Sequence, residues 1–171
     1  CHLFIEKPLG DSLDGTEELL ATVADRGLVT LVGCNMRFHH GPATIKQLLD
    51  DGAAGVVAPY IEQAEQVRQL RGATKLRPLK GQRLNDALAG QPLPGDLADY
   101  APGFNENNLL IINIESVPAV ENLDRILDVA GIDSVLIGPH DLSCNLGLPE
   151  QYDDPVFLET AETIFTKARA K

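Results

Sequence analysis

The chain has 171 residues, 44% of them hydrophobic, and its formal net charge of −11 corresponds to a pI near 4.6. This length is enough for one domain with a substantial core. The acidic balance argues against nucleic acid or an anionic membrane as a partner, and no run reaches the roughly 18 apolar residues of a membrane-spanning helix. Three cysteines, at positions 1, 34 and 144, lack metal-type or disulfide-framework spacing and indicate a reducing cytoplasm. Because the first residue is Cys1 rather than Met, we expect the chain to be part of a longer open reading frame.

Hydrophobic periodicity predicts an alternation of strands and helices. Apolar runs predict strands at 3–5, 29–33, 55–59, 109–115 and 134–138. Helical periodicity predicts helices near 16–26, 42–51, 62–72, 96–102 and 155–169, with one more between the last two strands. The stretch 73–96, rich in Gly and Pro, is predicted to be irregular. On the last helix we expect one apolar face made of Val156, Phe157, Ile164 and Phe165. Continuous apolar strands separated by helices indicate a parallel sheet in an α/β fold.

Two carboxylates follow the last two predicted strands. Glu115 comes after the run LLIINI, and Asp141 comes just past SVLIG. The segment between these strands is predicted to begin a helix at Ser116, a suitable N-cap, with Pro118 in the first turn. The C-terminal ends of neighbouring parallel strands meet at the rim where ligands bind, and two oxygen ligands there suit Mg²⁺ or Mn²⁺. Each acid taken alone also fits an ordinary helix-start residue that interacts favourably with the helix dipole.

The sequence around the two acids resembles the sequences of a known protein family. The sequence IESVPAVENLDRIL followed by GIDSVLIGPHDLSCNLGLPEQY resembles the core signature of the HpcH/HpaI aldolases, metal-dependent lyases that act on 2-oxo acids. The resemblance implies that Glu115 and Asp141, which lie 141 − 115 = 26 positions apart, are the metal ligands. It covers about residues 55–171 and implies a partial (β/α) TIM-barrel-like parallel sheet with flanking helices.

The same resemblance implies a substrate site beside the metal. Gly138 and Pro139 would let the backbone approach the substrate, and the amides of His140 and Asp141 would contact its carboxylate. Asn113 would form a hydrogen bond either with the substrate or with a group that binds the metal. The side chain of His140 is a less favoured candidate for the general base, because the family's base comes from an earlier strand that the resemblance does not place in this chain.

The first part of the chain resembles a different family. The sequences EKPLG and ATVADRGLVTLVGCNMRFHHGPATIKQLLDDG are similar to the middle of the Gfo/Idh/MocA oxidoreductases, which implies a position near the nicotinamide for Lys7. We therefore expect an oxidoreductase-like excerpt over 1–53 and an aldolase-like partial barrel over 54–171. The chain contains no G-x-G-x-x-G turn to hold a pyrophosphate, so we expect NAD(P) to bind poorly or not at all.

Three functional hypotheses compete at this point. The first is an aldolase that uses Mg²⁺ or Mn²⁺ to cleave 4-hydroxy-2-oxo acids to pyruvate and an aldehyde through a metal-stabilised enolate. The second is a fragment of an NAD(P)-linked oxidoreductase, and the third is a catalytically incomplete fusion fragment. The first implies a small-molecule 2-oxo acid as partner, a homo-oligomer, and no binding of nucleic acid or membrane.

Overall fold

The structure, a computed structural model, describes residues 3–5, 15–27, 30–33 and 41–171. Within these ranges the strands form one parallel sheet in which each strand pairs with the next along the chain. The strands are β1 (Leu3–Ile5), β2 (Thr30–Gly33), β3 (Gly55–Ala58), β4 (Leu109–Ile114) and β5 (Ser134–Ile137). The prediction of a parallel α/β sheet with flanking helices is confirmed.

Helices connect the strands and continue past the last one. They are α1 (Thr16–Asp25), α2 (Gly41–Asp50), α3 (Ala64–Lys75), α4 (Gly81–Leu88), α5 (Leu97–Phe104), α6 (Val117–Glu121), α7 (Leu123–Leu127), α8 (Pro139–Asn145) and α9 (Pro155–Arg169). The helix predicted between the last two strands is thus two short helices, α6 and α7. Within the described ranges no helix combines the length and the apolarity needed to cross a bilayer.

The prediction that 73–96 is irregular was wrong. Helix α3 continues into this stretch and α4 lies inside it. Leu84 and Leu88, one helical turn apart on α4, lie within ordinary contact distance of the point where a Cβ on Gly72 of α3 would stand. A pair of leucines at this spacing is a helical signal, but the flanking Gly81 and Gly90 obscured it.

The main core lies between the sheet and the helices. Alternate residues of β4, Leu110, Ile112 and Ile114, are fully buried, and they pack in one cluster with apolar side chains of α2, α3, α7 and α9. Because successive side chains of a strand point to opposite faces, Ile111, Asn113 and the following Glu115 point to the other face of the sheet. The same alternation that builds the core therefore places Asn113 and the Glu115 that follows β4 together on the opposite face.

The apolar face predicted for α9 is only half correct. Phe157 and Ile164 are buried, whereas Val156 is 52% and Phe165 46% exposed. Adjacent residues on a helix differ by about 100° in direction, so residue pairs such as 156 and 157 cannot both lie at the centre of one contact. The helix begins as its sequence suggests, with the Asp154 carboxylate accepting a hydrogen bond from the Val156 N–H at 2.8 Å.

Strand register brings three chain segments together at one edge of the sheet. Ala58 of β3 pairs with Ile112, and Ile114 of β4 pairs with Ile137 of β5. The residues that leave these strands at their C-terminal ends are therefore neighbours in space. This edge carries both predicted metal ligands.

Candidate metal and substrate site

Glu115 is the buried centre of this edge. It follows β4 directly and is only 3% exposed. Its Oε1 accepts a hydrogen bond from the backbone N–H of Tyr60 at 2.7 Å, and its Oε2 accepts one from Nδ2 of Asn113 at 3.2 Å. Tyr60 comes from the loop after β3, so the carboxylate is held by the neighbouring strand as well as by its own.

Tyr60 lies at this site although the sequence did not predict it there. Its φ of 57° lies in the left-handed region, which residues other than glycine rarely adopt. This conformation accompanies the 2.7 Å hydrogen bond from its N–H to Glu115. The available signal was position: Tyr60 follows β3, and the C-terminal end of β3 meets the rim that holds Glu115.

Gly138 makes room for the Glu115 carboxylate. A Cβ added to Gly138 would lie 2.3 Å from Oε2 of Glu115 and 3.2 Å from its Cβ. The backbone of Gly138 has φ −83° and ψ 93°, which any residue can adopt. The position therefore requires glycine for space rather than for backbone freedom, and the group that fills this space is a carboxylate of the protein itself.

Asp141 lies in the first turn of α8, which begins at Pro139 directly after Gly138. Burial raises the pKa of Glu115 above its ordinary value, the hydrogen bonds from Tyr60 and Asn113 oppose this rise, and the charge of Asp141 adds to it. Because a nearby positive charge would favour the ionised form of Glu115, a cation beside this buried carboxylate would oppose the effects of burial and of Asp141.

Asn113 has one polar atom without a protein partner. Its Nδ2 donates to Glu115, but its Oδ1 is buried and has no hydrogen-bond partner among the described residues. A buried acceptor left without a donor costs on the order of 1–3 kcal/mol. A ligand or a water that donates a hydrogen bond would remove this cost, so the orphaned oxygen fits the predicted role of Asn113 beside a substrate.

The imidazole ring of His140 lies beside Glu150 and Cys144 rather than beside the predicted metal ligands. The imidazole is 63% exposed, with Nδ1 3.8 Å from Oε1 of Glu150 and Nε2 3.9 Å from Sγ of Cys144. The ring nitrogens thus face other residues of α8 and the segment after it. The backbone N–H groups of His140 and Asp141 belong to the first helical turn, where no intrahelical acceptor exists, so they can contact a ligand as predicted.

The donor set matches a hard divalent cation. Across residues 3–5, 15–27, 30–33 and 41–171, no three His, Cys, Asp or Glu side chains come together in a metal-binding cluster. The predicted ligands are thus a pair of carboxylates, and Mg²⁺ and Mn²⁺ use one or two carboxylates and complete their shell with water and substrate oxygens. The buried Glu115, the nearby charge of Asp141 and the orphaned oxygen of Asn113 all fit such an ion.

Lys7, predicted to lie near a nicotinamide, falls outside the described residues. Its role stays a prediction.

Similar proteins bear on the identity of the fold and the site. The 2-keto-3-deoxy-L-rhamnonate aldolase of Salmonella paratyphi B is 40% identical over 128 residues, which cover 75% of this chain and 48% of that protein. The chain thus spans about half the length of the curated relatives that it matches. The crystal structure of an HpcH/HpaI aldolase from Desulfitobacterium hafniense DCB-2 superposes with a TM-score of 0.74 and 27% identity, over 98% of this chain and 64% of that one.

A second solved structure shows the same fold. An HpcH/HpaI aldolase/citrate lyase family protein from Burkholderia cenocepacia J2315 superposes with a TM-score of 0.71, over 98% of this chain and 66% of that one. At 22% identity this likeness concerns the fold alone. Both superpositions extend over nearly the whole chain, and they confirm a sheet of the TIM-barrel-like type.

The match to the family defines its extent along the chain. The match starts at residue 35, inside the stretch 1–53 that is predicted to be an excerpt resembling the Gfo/Idh/MocA oxidoreductases. That comparison and the boundary at residue 54 stay predictions. The family model of HpcH/HpaI aldolase/citrate lyase matches residues 35–171, and the chain belongs to this family.

Proposed function

We propose that this chain carries the metal and 2-oxo acid site of an aldolase that cleaves 4-hydroxy-2-oxo acids to pyruvate and an aldehyde. The observation that carries the proposal is the pair of carboxylates, Glu115 directly after β4 and Asp141 in the first turn of the helix after β5, at the C-terminal ends of adjacent parallel strands. Membership of the HpcH/HpaI family and 40% identity to a 2-keto-3-deoxy-L-rhamnonate aldolase support it.

Glu115 and Asp141 would hold Mg²⁺ or Mn²⁺. A divalent ion there supplies Lewis-acid stabilisation of the negative charge that develops on a 2-oxo acid during cleavage of the carbon–carbon bond. Tyr60 and Asn113 hold Glu115 by hydrogen bonds at 2.7 and 3.2 Å. The carboxylate of Glu115 occupies the space that a side chain at position 138 would need, and Gly138 leaves this space free. These contacts fix the ligand before the ion arrives, which reduces the entropy lost on binding.

The substrate would be held by groups around the ion. The N–H groups of His140 and Asp141, at the start of α8, can donate to the carboxylate of a 2-oxo acid. The orphaned Oδ1 of Asn113 can accept from a substrate hydroxyl or a bound water. A 2-keto-3-deoxy sugar acid offers both a carboxylate and a 4-hydroxyl group, and it is therefore the substrate class that we propose.

A cleavage assay tests the proposal. Pyruvate release from 2-keto-3-deoxy-L-rhamnonate is measured with Mn²⁺, with Mg²⁺ and with an excess of chelator. We expect activity to depend on the ion and to disappear in Glu115→Ala and in Asp141→Ala. Glu159→Ala, which removes an exposed carboxylate on α9, is the matched control and should behave as wild type.

Direct binding of Mn²⁺, followed by electron paramagnetic resonance, tests the site independently of turnover. Wild type and Glu159→Ala should bind the ion, and neither Glu115→Ala nor Asp141→Ala should bind it at this site. Turnover that survives both substitutions and the chelator, or Mn²⁺ binding that is equal in all four proteins, would refute the assignment.

A further inference from the structure

We propose that Glu62 is a positioning residue for Glu115: its carboxylate ties the loop after β3 to the loop after β4 and thereby holds the predicted metal ligand in place. As a statement about metal binding, this inference rests on the proposed function. Glu62 is not one of the residues predicted for the site, and its hydrogen bonds join it to Ser116, Asn122 and Gln66 rather than to the two predicted ligands.

Glu62 joins the two loops through its side chain. Its Oε1 accepts a hydrogen bond from Oγ of Ser116 at 2.7 Å. Ser116 is the residue after Glu115, is 6% exposed, and caps α6 because its Oγ also accepts the N–H of Ala119 at 3.3 Å. A bond to Ser116 therefore fixes the backbone on which Glu115 stands.

The backbone of Glu62 is held as well. Its carbonyl oxygen accepts Nδ2 of Asn122, at the end of α6, at 3.1 Å. Its N–H donates to Oε1 of Gln66 on α3 at 2.8 Å, so the loop after β3 is fastened to its own helix. The carboxylate thus belongs to a residue that cannot shift without breaking contacts on both sides.

Two bonds of equal length then bracket the predicted ligand. The Tyr60 N–H reaches Glu115 itself at 2.7 Å, and two residues further along the same loop Glu62 reaches Ser116 at 2.7 Å. The same two loops are thus joined at two neighbouring points, one at the Glu115 carboxylate itself and one at the residue that follows it. Loss of the Glu62 carboxylate removes the second contact, and the loop is then held next to Tyr60 only by the backbone contacts of Glu62 with Asn122 and Gln66.

Glu62 does not act as a third metal ligand. Among the residues that the structure describes, Glu62 does not form a cluster of three metal-binding side chains with Glu115 and Asp141. Its carboxylate oxygen is engaged by a neutral hydroxyl group, and a bond in which one partner is charged is about twice as strong as one between neutral groups. The arrangement fits a structural tie to the ligand-bearing loop.

Hydrogen exchange of the metal-free protein tests the inference directly. The Tyr60 amide reports on the position of Glu115, because that carboxylate is its acceptor. We expect Glu62→Ala to accelerate exchange at Tyr60 about tenfold, and Ser116→Ala to do the same, whereas Glu62→Gln keeps an acceptor for Ser116 and should restore slow exchange. The reference is the Leu109 amide, which donates to Ala54 at 2.8 Å at the other end of the strands and should not change.

Mn²⁺ affinity supplies the second readout. Substitution of groups that orient metal ligands typically weakens binding about 10- to 100-fold, and we expect a loss in this range for Glu62→Ala and near-wild-type affinity for Glu62→Gln. The matched control is Glu65→Ala, which removes an exposed carboxylate of α3 that pairs with Arg68, and it should leave the affinity unchanged.

The outcomes separate this inference from the proposed function. Unchanged exchange at Tyr60 in Glu62→Ala, equal acceleration in Glu62→Gln, or an equal rise at Leu109 would overturn the positioning role. If Mn²⁺ binds wild type and Glu115→Ala equally, the proposed metal site fails, while the exchange rates at Tyr60 still decide whether Glu62 positions Glu115.

Discussion

A single methyl group at Gly138 should displace Glu115 and weaken the proposed metal site while the fold survives. The Cβ of Gly138→Ala would lie 2.3 Å from Oε2 of Glu115, and ordinary contact begins near 3.4 Å, so the oxygen must move by about 3.4 − 2.3 = 1.1 Å. The backbone at this position suits alanine, so the whole effect comes from this contact.

The displacement must disturb existing hydrogen bonds, because both carboxylate oxygens of Glu115 accept one. Oε2 loses the 3.2 Å bond from Asn113 first, and a larger movement also strains the 2.7 Å bond from Tyr60. Overpacking of this kind costs about 1–3 kcal/mol. In a protein of this size such a cost lowers Tm by roughly 2–4 °C per kcal/mol. We expect the lower end of the range, since the clash involves one side-chain end rather than backbone.

The effect on function should exceed the effect on stability. Misplacement of a functional group by about 1 Å can cost about 100-fold in rate, and we expect Mn²⁺ affinity and kcat/KM to fall at least 10-fold. Titration with Mn²⁺ and urea unfolding of the same samples measure the two effects. The control is Gly103→Ala, a position on α5 where an added Cβ meets nothing within 4 Å. Wild-type Mn²⁺ affinity in Gly138→Ala would show that the space beside Glu115 is not limiting.

Three further outcomes follow from the structure. Gly55→Ala should destabilise more than Gly138→Ala, because its Cβ would lie 2.4 Å from the backbone oxygen of Leu109, and urea unfolding measures this. Burial raises the pKa of Glu115 above its ordinary value of 4.5 in the folded protein. The native state therefore binds this proton more tightly than the unfolded state does, and the free energy of unfolding falls as the pH rises from 4.5 towards the raised pKa. In chelator, Glu115→Gln should therefore be more stable than wild type at pH 7 and nearly equal at pH 4; greater wild-type stability at pH 7 would contradict the pKa shift. Asp50→Ala leaves the buried guanidinium of Arg77 without its ion-pair partner and should cost about 1–3 kcal/mol in urea unfolding, with unchanged Mn²⁺ affinity.

The location of the two acids could be predicted from the sequence because it depends on local signals. A continuous apolar run marks a buried parallel strand, and an acid directly after such a run lies at the ligand-binding rim. Glu115 satisfies this rule, and β4 and β5 lie where their apolar runs predict them. Asp141 comes three residues after the second run, in the first turn of α8, and the side chains of β5 are only partly buried or exposed. The N-cap predicted at Ser116 is also confirmed, since its Oγ accepts the Ala119 N–H.

The contacts that position these acids could not be predicted, because they join residues far apart in the chain. The bonds from Tyr60 to Glu115 and from Ser116 to Glu62 connect residues 55 and 54 positions apart. The clash that makes Gly138 necessary depends on the register of two strands. Neither hydrophobic periodicity nor turn propensity contains this information.

Helix prediction failed for a different physical reason. The short helix α4 is held by Leu84 and Leu88 against Gly72, a tertiary contact that outweighs the glycines at its ends. On α9, counting apolar residues without their angular positions placed Val156 and Phe165 in the core, although both are about half exposed.

The parallel register of β3, β4 and β5 would give the proposed cation a role in selecting the correctly paired sheet. A slip of β4 by one residue exchanges the two faces of the strand, so Asn113 would enter the layer of Leu110 and Ile112, and the Glu115 carboxylate would lose both Tyr60 and the gap at Gly138. A mispaired sheet therefore offers no metal site. A ligand that binds only the native pairing stabilises it by about 2.7 kcal/mol when the free ligand concentration is about 100 times its Kd. The cation would therefore stabilise the native strand register over a shifted one, in addition to any part it takes in a reaction.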